Sequence, residues 1–196
     1  MRIVLLVEGG GDTPALQSEC RKGFRLLLEK AGFVGRMPEI VACGSRNQTF
    51  KDFKFSLQDS SALTMMLIDS EDPVFLSPWA HLETRDGWLQ PKETTDAQVQ
   101  FMTTCMETWL VADPEALKSF FGAGFKAGKL LPITNLESRP RDKIQDALAD
   151  ATRDCGRARK YQKGKRSFQA LAKLNPSVLM QLKYFKRLVD ELRALH

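Results

Sequence analysis

The sequence predicts an α/β fold, a parallel sheet flanked by helices, followed by a basic and mainly helical C-terminal extension. Three observations carry this prediction. Short apolar runs alternate with amphipathic stretches over the first 70 residues, acids stand at the ends of two of those runs, and Lys and Arg gather beyond residue 113. The alternation is that of βαβ units, which imply parallel strands with helices packed on the sheet.

Arg2 to Val7 (RIVLLV) is β-branched and apolar, bounded by the turn residues Gly9-Gly10-Gly11, and reads as a buried strand. Thr13-Pro14 has the chemistry of a helix N-cap with proline at the first helical position. That helix is predicted to run to about Lys30, with Leu16, Cys20, Phe24, Leu27 and Leu28 on one face and Ala31-Gly32 closing it. Glu39 to Cys43 reads as a second strand, Gln48 to Leu57 as a second helix, and Ala62 to Ile68 (ALTMMLI) as a third strand ending at Asp69. Pro73 to Asp96, interrupted by prolines, reads as a long loop or short helix, and Ala97 to Cys105 as a further strand. Met106 to Phe121 is predicted helical, restarting at Asp113-Pro114, where Asp113 suits a cap. Helices are then expected over about Arg141–Ala151, Phe168–Leu174 and Ser177–Leu195.

Composition narrows the chemistry. With 196 residues, 43% hydrophobic and 27% charged, the chain has the make-up of a globular domain with a core. The apolar start ends at Glu8, far short of the roughly 20 residues of a membrane span and too short for a signal peptide, which points to the cytoplasm. Cys20, Cys43, Cys105 and Cys155 form no CxxC and read as reduced, buried thiols. Only His81 and His196 are histidines, too few for an ordinary zinc site. Carboxylates are therefore the candidate workers. Residues 1–113 hold 11 basic and 16 acidic side chains, and residues 114–196 hold 18 basic and 8 acidic ones. A cation site beside a surface for polyanions is one reading of this asymmetry, and a solvated helical face is the other. The three tryptophans, Trp79, Trp88 and Trp109, read as core or interface residues.

Two motifs concentrate the acids. VEGGGD (Val7 to Asp12) follows the first strand and LIDSED (Leu67 to Asp72) follows the third. The carboxyl ends of parallel strands are where such folds place their sites. Carboxylates crowded together favour a cation between them, and hard oxygen donors suit Mg²⁺ or Mn²⁺. Glu107 follows another predicted strand and joins Asp12 as a possible additional site acid. The alternative for GGGD is a plain strand-to-helix turn, and for IDSEDP an exposed acidic turn. Neither segment fits a nucleotide-binding glycine motif. The stretch Arg153 to Arg166 holds Arg157, Arg159, Lys160, Lys163, Lys165 and Arg166, able to neutralise phosphates, with Tyr161 as a base-stacking candidate. A solvated loop is its plain alternative. His81 and Arg85 read as loop-surface residues more than as catalytic helpers.

A strand ending in Glu-Gly, followed roughly 60 residues later by a strand ending in a DxD-like motif, resembles the Toprim domain of topoisomerases, bacterial primases and overcoming-lysogenization-defect nucleases. VEGGGDTP, IDSEDPV and METWLVADPEAL resemble more closely the family called domain of unknown function 4276, and this likeness covers most of the chain. The resemblance implies a Toprim-like (Rossmann-like) domain over residues 1–122 and a basic helical extension over 123–196. It makes Glu8 a metal ligand or general acid/base and Asp69 the first metal-binding aspartate. Glu71 stands at the second DxD position, a longer acid than the motif expects, and Asp72 is its possible substitute. It implies Mg²⁺ (or Mn²⁺) as cofactor, DNA or RNA as substrate, and hydrolysis by metal-activated water, since neither Tyr161 nor Tyr184 sits like a topoisomerase nucleophile. It also implies a separate ABC- or AAA-type ATPase partner in phage defence; a homo-oligomer is possible. Two other classes stay open: a non-catalytic adaptor subunit of an ATPase, and a small-molecule phosphohydrolase.

Overall fold

The computed structural model describes residues 2–157 and 159–195; Met1, Ala158 and His196 lie outside the described residues. Four strands, β1 (Arg2–Glu8), β2 (Glu39–Gly44), β3 (Ala62–Asp69) and β4 (Val99–Met102), form one sheet in the order β2-β1-β3-β4. Every neighbouring pair is parallel. From β1 the chain moves outward to β2, then returns to place β3 on the other side of β1. The gap between β1 and β3 is therefore the switch point of the sheet, where a crevice opens at the carboxyl ends of the strands.

Helices cover both faces, as period-2 alternation along fully buried parallel strands requires. On one face Ile3, Leu5, Val7, Met65 and Leu67 meet Cys20, Phe24, Leu27 and Leu28 of α1 (Pro14–Leu28). On the other, Val4, Leu6, Met66 and Ile68 meet Phe50 and Phe53 of α2 (Arg46–Ser56). The first core continues into residues beyond 122, among them Leu136, Ile144, Leu148, Phe168, Leu171, Phe185 and Leu192. Extension and sheet thus share one apolar cluster.

Local chemistry explains most element ends. Thr13 accepts the Leu16 amide at 3.3 Å to start α1, and Ser45 accepts the Gln48 amide at 3.3 Å to start α2, two residues before the predicted Gln48. A π-turn over Glu29–Phe33 closes α1, with Gly32 in the left-handed region. The segment expected as loop or short helix contains α3 (Pro78–Asp86), ended by left-handed Gly87. β4 is shorter than the expected 97–105, because a 3₁₀ turn over Asp96–Gln98 precedes it. The 106–121 helix divides as expected into α4 (Glu107–Val111) and α5 (Pro114–Phe121), with Asp113 capping the second through Ala116 at 3.1 Å.

In the extension, α6 (Arg141–Thr152) and α7 (Lys165–Leu171) fall near their predicted spans. The long last helix is a correction: it is two helices, α8 (Pro176–Leu179) and α9 (Lys183–Ala194). Glu137 causes the break. Its carboxylate accepts the Lys183 and Tyr184 amides, at 2.6 and 3.0 Å, and so caps α9 from 46 residues away. Among the described residues no helix is long and apolar enough to cross a membrane. All four cysteines are free and buried. Trp79 and Trp109 are buried, and half-buried Trp88 stacks on Phe50 at 4.2 Å between ring centroids.

Candidate metal centre

The parallel register aligns Val7 with Leu67, so β1 ends at Glu8, one residue on, next to the end of β3 at Asp69, two residues on. Glu8 accepts the Asp69 amide through Oε2 at 2.9 Å, which ties the two strand ends together. Asp69 in turn accepts the Met106 amide through Oδ1 at 2.8 Å. The backbone then turns sharply. Glu71 has φ +67°, a left-handed conformation uncommon for a residue with a Cβ, and its amide donates to the Thr104 carbonyl at 2.8 Å. The turn directs Glu71 back toward the strand ends. One carboxylate oxygen from each of Glu8, Asp69 and Glu71 lies within 4.8 Å of the others.

Burial makes this arrangement costly without a counter-charge. Asp69 is 5% exposed, and burial, with Glu8 and Glu107 adding to it, holds its carboxyl well above the usual aspartate range. Burial likewise raises Glu8, though the Asp69 amide and Arg46 pull the other way. Arg141, at the start of α6, ion-pairs with Glu71 and lies 3.4 Å from Asp69. Arg46, at the start of α2, donates to the Asp69 carbonyl, stands 4.0 Å from Glu8 and lies over the Trp88 ring at 4.9 Å.

The family profile described as domain of unknown function (DUF4276) matches residues 7–193 of this sequence. The chain belongs to that family. The comparison with curated proteins gives no match. Among solved structures, the DUF4276 chain is similar to the C-terminal region of the Burkholderia pseudomallei OLD protein, at 12% identity and a TM-score of 0.47, covering 99% of this chain and 98% of that one.

In this DUF4276 protein Glu8 and Asp69 line a cavity of about 410 Å³, and Glu71 stands outside its lining. Its walls include the Gly9–Gly11 turn and Asp12 on one side, and Lys163, Ser167 and Phe168 of the extension on the other. Glu107 also lines it, 1% exposed; Tyr161 donates to its Oε1 at 2.5 Å, while its Oε2 meets no partner among the described residues. The donor set fits a hard divalent ion: three carboxylates, with waters and substrate oxygens able to complete the shell.

The other sequence candidates scatter. Asp72 points outward, 66% exposed at its side chain and paired with Arg85 at 2.9 Å. Asp12 is an exposed wall of the cavity. Of the basic side chains in that stretch, Lys163 alone lines the cavity among the described residues. Lys165 pairs with Glu19 at 3.7 Å, and Arg166 lies over Phe120 and Phe121 at 5.0 and 5.5 Å. Arg157, Arg159 and Lys160 are exposed. Tyr161 is a correction: its hydroxyl is engaged by Glu107, and its ring packs partly buried against the core. His81 is another. It sits on α3, 7% exposed, edge-on to Phe101, with Nε2 at 3.0 Å from the Ser70 carbonyl.

Arg46 and Arg141 were not anticipated. Arg46 had a signal: it follows Gly44-Ser45 at the carboxyl end of a parallel strand, the same edge that carries Glu8 and Asp69. Arg141 had none, since only the packing of α6 against α4 brings it there.

Proposed function

We propose that this protein is a Mg²⁺- or Mn²⁺-dependent Toprim-type nuclease that hydrolyses phosphodiester bonds of DNA or RNA. The observation that carries the reading is the triad Glu8, Asp69 and Glu71, with oxygens within 4.8 Å at the switch point of a parallel sheet. Those three side chains would hold the ion, with Asp12 and Glu107 as flanking acids and Asp72 held away by Arg85. A divalent ion bound there supplies a water of lowered pKa and offsets negative charge on a substrate phosphate. Lys163, across the cavity from the acids, is suited to pair with the scissile phosphate. Arg157, Arg159 and Lys160 would contact flanking phosphates, and Lys165 and Arg166 would do so after exchanging their present partners. Asp69 would orient its oxygens through the Met106 amide, and Glu8 through the Asp69 amide. The resemblance to Toprim proteins extends the proposal to work beside a separate ABC- or AAA-type ATPase in phage defence.

One observation favours a second reading. Arg141 already neutralises Asp69 and Glu71, as in a structural ion-pair cluster, which suits a non-catalytic adaptor. Incubation of plasmid DNA, single-stranded DNA and total tRNA with Mg²⁺ or Mn²⁺ separates the two. Metal-dependent cleavage by the wild type, lost in folded Glu8→Ala and Asp69→Ala, is the expected result. No cleavage of any substrate, with a candidate ATPase added, would favour the adaptor.

A further inference from the structure

Outside the cavity, one carboxylate engages two of the arginines that ring the acids. Asp86, the last residue of α3, is 11% exposed at its side chain and lies 2.6 Å from Arg46 and 2.5 Å from Arg85. Both arginines extend toward the triad, Arg46 as far as the Asp69 main-chain carbonyl, but neither closes on the triad carboxylate it faces. Arg46 remains 4.0 Å from Glu8, and Arg85 remains 3.9 Å from Glu71. Coulomb attraction grows as distance shrinks, so each guanidinium is held mainly by the aspartate it touches and not by the site acid it approaches. Arg85 has a further partner in Asp72 at 2.9 Å, but that aspartate is exposed and screened. Arg46 has no other carboxylate partner besides Asp86 and Glu8 among the described residues.

We propose that Asp86 is a positioning residue that draws Arg46 and Arg85 away from Glu8 and Glu71, so that of the three arginines around the acids only Arg141 stands on the triad oxygens a divalent cation would take. This rests on the metal-centre reading given above. With the charge at position 86 removed, the remaining carboxylate within ion-pairing reach of Arg46 is Glu8. A guanidinium seated on Glu8 occupies the oxygens a cation needs and repels the cation as well. Asparagine keeps the shape of Asp86 but not its charge, whereas glutamate keeps the charge on a longer arm. A packing role would tolerate the first better, and the proposed role tolerates the second better.

The test is Mn²⁺ affinity, followed by electron paramagnetic resonance, with a melting curve for each variant. Asp86→Asn is expected to weaken Mn²⁺ binding about tenfold, and Asp86→Glu to stay within about threefold of wild type. The double variant Asp86→Asn/Arg46→Gln is expected to recover most of the loss, because the released cation is gone. Arg85→Gln, a change at a partly exposed side chain that leaves the fold least disturbed, is expected to bind Mn²⁺ at least as tightly as wild type. Wild-type binding with an unchanged Asp86→Asn overturns the proposal alone. So does a double variant no better than Asp86→Asn, or an Arg85→Gln protein that binds less tightly. If Asp86→Asn does not fold, the Asp86→Glu and Arg85→Gln results decide. Failure of the wild type to bind Mn²⁺ overturns the metal centre and this inference with it.

Discussion

At Asp69 the cost of the site is concentrated in one side chain. Its carboxyl is held well above the ordinary value of 3.8 by burial first and then by Glu8 and Glu107, and Glu8 is raised from 4.5 by burial. Between those ordinary values and the raised ones, the folded chain keeps protons that the unfolded chain has released. Stability in metal-free buffer is therefore expected to fall as pH rises through that window, and to level off above the raised values. Asp69→Asn keeps an oxygen for the Met106 amide and removes the charge. It should flatten the slope and raise the melting temperature in EDTA at pH 8 by about 2–4 °C, the equivalent of roughly 1 kcal/mol in a chain of this size. A melting series from pH 4 to 8 checks this, and a lower melting temperature at pH 8 would count against it. The acids of the triad were legible because strand ends announce themselves: apolar runs stop at Glu8 and Asp69. Their partners were not. Arg141, Asp86 and the Tyr161–Glu107 hydrogen bond join residues far apart in the chain, and local pattern carries no signal for such pairs.

Elements were legible to the extent that their causes are local. Thr13, Ser45 and Asp113 cap helices through their own neighbours, and the alternation along β1 and β3 follows from strand geometry. The break before α9 was invisible, since the capping carboxylate belongs to Glu137. The turn after β1 shows how tightly an element end can be specified. A Cβ at Gly10 would lie 2.9 Å from the Gln17 Cα, at φ +91°, whereas one at Gly11 would meet nothing nearer than Leu16 at 3.5 Å. Gly10→Ala is expected to cost about 1–3 kcal/mol, through backbone shift and strain. Gly11→Ala, at φ +53°, is expected to cost less. Urea unfolding of the two variants compares them directly, and equal losses would contradict the packing described for this turn.

At the scale of the whole molecule, the acidic first part and the basic extension meet across one cavity. Glu8, Asp69 and Glu107 line one part of its wall, and Lys163, Ser167 and Phe168 another. The extension also completes the core. Phe168, Leu171, Phe185 and Leu188 belong to the same cluster as Leu5, Val7 and Leu67. A protein cut after Gly122 would expose that face of the sheet and is expected to lose its cooperative melting transition; a sharp transition in the fragment would show a domain that folds alone. The sequence showed the charge division but not that the two parts share a core, because an apolar stripe on a helix does not say what it covers.

Anomalous diffraction at the manganese edge, from crystals grown with Mn²⁺, asks whether Glu8, Asp69 and Glu71 hold a divalent cation. The expected result is a peak about 2.0–2.2 Å from oxygens of all three side chains, with Arg141 displaced from at least one of them. No peak at the triad, with Arg141 still paired to Asp69 and Glu71, would contradict it.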